Sequence, residues 1–181
     1  MSRDGLRIRA AVAADVAALR ELIARSAREL SVADYTPAQV EGALRGAFGV
    51  DSQLIRDGTY FVVECAGELV GCGGWSRRRT LFGGDAFTQR DAAELDPIRD
   101  AAKIRAFFVH PDHARRGIGS ALLAHCETAA QAHGFTRCEL MSTLPGLKLY
   151  RRHGYQPGER VFHDVGGGET VEFVPMHKSL R

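Results

Sequence analysis

Residues 103–155 constrain this chain more than any other stretch. An apolar run, Ile104-Arg-Ala-Phe-Phe-Val109, stops at His110-Pro111. A short basic turn with two glycines, Ala114-Arg-Arg-Gly117-Ile-Gly119, then leads into a helical pattern. A strand that ends in such a turn brings consecutive backbone N–H groups to the positive end of a helix, where they have no intrahelical acceptor. Such a place binds phosphate. The next apolar run, 137–142, makes the step a strand–helix–strand unit, which implies a parallel, right-handed crossover.

The surrounding pattern supplies the rest of a sheet. Leu6, Ile8 and Ala10 alternate with arginines, a half-buried strand. Val16, Leu19, Ile23, Ala27 and Leu30 fall on one face of a helix over 12–30, with Asp15 in its first turn. Thr36-Pro37-Ala-Gln39 combines a capping box with proline at the first helical position and starts a helix over 37–48. Runs 59–65 and 69–75 flank Ala66-Gly67-Glu68, a hairpin signal. Residues 77–101 are polar and carry Gly83-Gly84; they are expected to form a long loop with one helical turn near 89–94. A helix over 117–133 stops at Gly134, a short one over 145–153 closes at Gly154, and strands 160–165 and 170–177 are joined by three glycines. The expectation is one α/β (α+β) domain over 1–181, a mixed and mostly antiparallel sheet flanked by helices, in the order β-α-α-β-β-β-α-β-α-β-β.

Composition narrows the partners. With 45% hydrophobic residues in 181, a substantial core is affordable in one domain, and a net charge of +2 is too small for wrapping nucleic acid. No run approaches the ~20 apolar residues of a membrane span, and Met1-Ser-Arg-Asp4 leads into no signal-type core. Cys65, Cys72, Cys126 and Cys138 are spaced for neither a zinc ribbon nor a disulfide scaffold; they are expected as small buried hydrophobes in a reducing, cytoplasmic setting. His110-x-x-His113 has no third ligand nearby, so surface or cap roles are expected and no metal.

Two phosphate motifs are excluded directly. Gly117-Ile-Gly119-Ser-Ala-Leu122 lacks the third glycine of the dinucleotide fingerprint, and no Gly-x-x-x-x-Gly-Lys-Ser/Thr is present. The chain instead resembles the GCN5-related N-acetyltransferase (GNAT) superfamily, in element order over nearly its whole length and specifically over 103–155. The resemblance implies that the turn holds the pyrophosphate of acetyl-CoA through the backbone of Arg115, Arg116, Gly117, Ile118, Gly119 and Ser120. Ala114 stands where the family usually has Gln or Arg. It further implies that Phe107, Phe108 and Val109 bind the pantetheine arm by main chain, beside a bulge that splays this strand from the next. In Leu147-Lys-Leu-Tyr150-Arg-Arg-His-Gly154-Tyr155, Tyr150 matches the family tyrosine that protonates the departing thiolate. Thr143 occupies the position of an asparagine that contacts CoA in many relatives.

The implied activity is direct acetyl transfer from acetyl-CoA to an amine. A CoA-binding sensor or scaffold and an acyltransferase with a different acyl donor stay open as alternatives. For the amine's proton, Glu139, His110 and a water chain are candidates. Tyr35, Trp75 and the 77–101 loop, with Asp85, Asp91, Glu94 and Asp96, are expected on the acceptor side, a small-molecule or peptide amine. The terminal hairpin is a plausible edge for a homodimer.

Overall fold

In the strand Tyr60–Cys65, Phe61 and Val63 pack into one apolar layer while Tyr60 and Val62 pack into another. All four are buried, so this strand is covered on both faces. The computed structural model describes residues 5–180, and places this strand in an eight-stranded sheet between two layers of helices. Met1–Asp4, the polar leader, and Arg181 lie outside the described residues.

In chain order the elements are β1 (Leu6–Ala10), α1 (Val16–Leu30), α2 (Pro37–Leu44), α3 (Ser52–Arg56), β2 (Tyr60–Cys65), β3 (Glu68–Ser76), β4 (Ala102–Val109), α4 (Ile118–Ala132), β5 (Arg137–Thr143), α5 (Leu147–Arg152), β6 (Gln156–Pro157), β7 (Val161–Gly166) and β8 (Glu169–Ser179). The sheet runs β1-β2-β3-β4-β5-β8-β6, with β7 also on β8. Its one parallel pairing among the named strands is β4 with β5, bridged by α4 as the crossover expected. Leu19, Leu22 and Ile23 of α1, Val40 of α2 and Leu54 of α3 cover one face. Ile118, Leu122, Leu123 and Cys126 of α4 cover the other.

The local differences from expectation have physical causes. Asp15 does not open α1; it closes a 3₁₀ turn before it, accepting from Val12 N–H and from Arg9. Helix α2 ends at Leu44, and the turn that follows buries Phe48. Helix α3 is too short for periodicity to reveal; it exists because Asp51 caps it, accepting from Gln53 N–H at 3.0 Å. The helical turn expected near 89–94 is absent. Arg79 N–H donates to Ala93 O and Thr80 N–H to Asp91 O, both at 3.0 Å, so the loop satisfies its backbone across itself. Arg78, donating to Asp57 at 2.7 Å and to Ala92 O at 2.9 Å, fastens that miniature ladder to α3's end. Cys72, Cys126 and Cys138 are buried, but Cys65 at the end of β2 is only half-buried. No helix of the described residues is long and apolar enough to cross a membrane.

Candidate active site

The site begins with a defect in β4. Its register against β3 shifts between Cys72 and Gly74, and Ala106 opposite takes a φ of 53°. That left-handed geometry costs a non-glycine residue about 1–2 kcal/mol. Two neighbours hold it: Tyr60 Oη donates to Ala106 O at 3.0 Å, and Gly73 leaves room for the Phe107 ring. A Cβ on Gly73 would sit 2.4 Å from Phe107 Cδ1. On its other side, β4 pairs with β5 only from Ala102 to Ile104, after which the strands part.

The parting opens a groove of about 300 Å³. Phe107, Phe108 and Val109 line it, with Arg115, Gly117, Ile118, Gly119 and Ser120 along the turn and Thr143 and Tyr150 opposite. The structure therefore brings together residues that sequence places up to 43 positions apart (107 to 150). Arg116 is exposed and lies outside the lining.

At the turn, Arg115 has φ 65° and Gly117 has φ 85°. The first bond of α4 runs from Ala121 N–H to Gly117 O at 3.0 Å, leaving the N–H groups of Ile118, Gly119 and Ser120 without an acceptor in the helix. The two glycines have different reasons to be there. Gly117 supplies the left-handed conformation, whereas a Cβ on Gly119 would lie 3.0 Å from Leu149 Cδ2, so that glycine sets the approach of α5. His153 Nε2 and Ser120 Oγ, 2.9 Å apart, join the same two helices. Lys148 and Arg152 of α5 also line the groove. They escaped sequence reading, although their i,i+4 spacing beside a phosphate turn was a usable signal.

At the other end, the Tyr150 ring lies 6.3 Å from that of Phe107 and 5.8 Å from that of Tyr155. Burial pushes its phenol pKa well above the ordinary value, so the side chain is held protonated. Ser26 of α1 also enters the groove, its Oγ accepting from Val109 N–H at 3.3 Å. Nothing in the sequence marks this serine apart from the apolar face around it.

Beyond Phe107, Phe108, Thr143 and Tyr150 the groove continues into a second cavity under the 77–101 loop. Phe48, Leu81, Phe82, Met141 and Phe173 line it, with rings of Phe82 and Phe173 at 5.4 Å and of Phe48 and Phe108 at 5.9 Å.

Other expected site residues lie elsewhere. Trp75 is buried against Phe135 and His133 on the α4 side of the sheet. Tyr35 is buried as a tie, its Oη donating to Glu172 O at 2.7 Å and accepting from Leu144 N–H at 2.9 Å. Neither lines the groove or the second cavity. Glu139 is paired with Lys103, and His110 is buried against Arg25, its Nδ1 capping Asp112 N–H; neither candidate base lines either space. The loop's acids are engaged too: Asp85 with Ser52, Asp91 with Ala93 N–H, Glu94 with Arg77 and Asp96 with Ile98 N–H.

A family profile described as an acetyltransferase (GNAT) domain matches residues 56–157. No curated protein matches the chain in sequence. Among solved structures, the fold is similar to a GCN5-related N-acetyltransferase from Rhodopseudomonas palustris, at 20% identity, 99% coverage of each chain and a TM-score of 0.73. It is similar to the PaiA N-acetyltransferase of Thermoplasma acidophilum in complex with coenzyme A, at 15% identity, 99% coverage of each chain and a TM-score of 0.65. A ribosomal-protein-alanine N-acetyltransferase from Brucella melitensis aligns at 20% identity over 96% of this chain and 99% of its own, with a TM-score of 0.64.

Proposed function

The chain belongs to the acetyltransferase (GNAT) family, and from that premise we propose that it transfers the acetyl group of acetyl-CoA to an amine by direct attack. One observation carries the reading: the unpaired main chain of β4, the N–H groups of the 115–120 turn and the Tyr150 phenol share one groove. The turn receives pyrophosphate, with Arg115, Lys148 and Arg152 adding positive charge. The β4 backbone from Phe107 to Val109 takes the pantetheine arm as if it were an added strand. The Val109 N–H polarises the thioester carbonyl; its 3.3 Å contact with Ser26 is long enough to be exchanged for a better acceptor.

The amine nitrogen then attacks the carbonyl carbon. On collapse the C–S bond breaks and Tyr150, which burial holds in its protonated form, donates its proton to the thiolate. Direct transfer is supported by the thiols, none of which lines the groove or the second cavity. Burial pushes Cys72 and Cys138 up to about 12, far from the thiolate state a nucleophile needs. The cytoplasmic setting expected from the cysteine content belongs to the same proposal.

The test is thiol release from acetyl-CoA on adding an amine panel to the purified chain. Amine-dependent release supports transfer. Tight CoA binding with no release under any amine would replace this reading with a CoA-binding module that does not turn over.

A further inference from the structure

The geometry points to an acceptor that enters as a neutral, weakly basic aromatic amine; this rests on the transferase reading above. The second cavity meets the groove at Tyr150 and Thr143, where the amine must reach the thioester. Its walls are Phe48, Phe82, Phe173, Leu81 and Met141, and among the described residues no carboxylate, lysine, arginine or histidine side chain lines it. His163 touches the Phe82 and Phe173 rings from outside that lining. An ammonium ion would lose its hydration there without gaining a counter-ion, which strongly disfavours the charged form.

Charge behind the wall acts in the same direction. Arg105 and Arg90 both donate to Asp51, at 2.8 Å and 2.7 Å, and also to the carbonyls of Gly83 and Gly84. Two guanidinium groups thus face one carboxylate immediately beneath Gly83, a lining residue. The adjoining surface hollow carries two arginines, Arg20 and Arg28, the latter paired with Glu41, and one carboxylate, Asp85, which accepts from Ser52. Three of the lining carbonyls already accept from neighbouring side chains: Ala106 O from Tyr60, Gly83 O from Arg105 and Thr143 O from Ser142.

An alkyl amine with a pKa of ~10.4 is neutral in only about one molecule in a thousand at pH 7, and must surrender a proton before it attacks. The cavity has no base to take it. An aromatic amine is already neutral, and its ring matches the phenylalanine walls. The step then balances within the site. The nitrogen lone pair forms the C–N bond, the C–S bond breaks and Tyr150 gives its proton to sulfur. The acidified N–H returns one proton to the Tyr150 phenolate, so arylamine plus acetyl-CoA becomes N-acetylarylamine plus CoA thiol.

The experiment compares 4-methylaniline, spermidine and a lysine-containing peptide as acceptors, by thiol release and by mass of the product. The expected result is a kcat/KM for 4-methylaniline at least on the order of a hundredfold above the other two at pH 7. It should stay flat from pH 7 to 9, and Phe82→Ala should raise KM for the arylamine at least several-fold while KM for acetyl-CoA holds. Spermidine or the peptide matching or exceeding the arylamine would overturn the inference and leave the transferase reading intact. An unchanged arylamine KM in Phe82→Ala would also overturn it. Failure of all three amines, with CoA still bound, would overturn both.

Discussion

Arg105 Nη2 and Asp51 Oδ2 are 2.8 Å apart with side chains only 2% and 1% exposed, so a full ion pair lies inside the protein. Arg105 precedes the bulged Ala106, and Asp51 caps α3. The pair joins the strand that opens the groove to the segment 80–84, whose carbonyls at Thr80 and Gly83 Arg105 also binds. Asp51→Ala would leave that guanidinium buried without its partner. Removing one member of such a pair costs about 3–5 kcal/mol, and at about 2–4 °C per kcal/mol for a chain of this size, thermal denaturation should show Tm falling by roughly 6–20 °C. An unchanged Tm would mean that the pair is compensated elsewhere.

Tyr150→Phe keeps the ring packing and removes the proton donor. The expected loss is about 10²–10⁴ in kcat, with KM for acetyl-CoA little changed. Burial raises the phenol pKa, so the acid form persists above the ordinary tyrosine range. The wild-type kcat should therefore show no descending limb near pH 10, where an exposed tyrosine would titrate. Wild-type activity in Tyr150→Phe would remove this residue from the reaction.

Gly117→Ala separates backbone strain from crowding, because a Cβ there would meet nothing within 4 Å. At φ 85° an alanine is strained by about 1–2 kcal/mol. The turn should relax away from its phosphate-binding form, and calorimetry should find CoA binding weakened roughly 5–30-fold if all of that strain falls on the bound state. Full CoA affinity would show that the turn does not need this geometry.

Acid should loosen the loop over the second cavity. The Arg78 guanidinium, hydrogen-bonded to Asp57, holds that carboxyl below its usual range. The folded value lies under the unfolded one, so the stabilisation is present above about pH 4 and fades as pH falls through the folded value. Asp57→Asn should flatten the decline in Tm between pH 5 and 3. An identical slope in the variant would assign the acid sensitivity to other carboxylates.

The readability of this chain divides between the groove and the second cavity. The phosphate turn, α4 and Tyr150 are legible because their elements are continuous in sequence and their residues have local reasons: Gly117 for its dihedral angle, Gly134 and Gly154 for helix ends. The second cavity is not, because Phe48, Phe82 and Phe173 come from a turn, a loop and a strand, and each looks like an ordinary core residue. Residue type alone points Trp75 and Tyr35 toward the site, but burial sends one to the α4 layer and gives the other a structural pair of hydrogen bonds. The apparent acidity of 77–101 vanished for a similar reason: those carboxylates hold the loop's own arginines and N–H groups.

The kink at Ala106 has a consequence for how such a protein can change over time. Its effect is exerted through the path of the backbone, and any residue that tolerates the conformation would hold the strand on the same course. A substitution along that wall that keeps the backbone path would therefore leave its main-chain groups in place. The fold itself is shared at 15% to 20% identity. The second cavity differs in this respect, since Phe82 and Phe173 form its walls with their side chains.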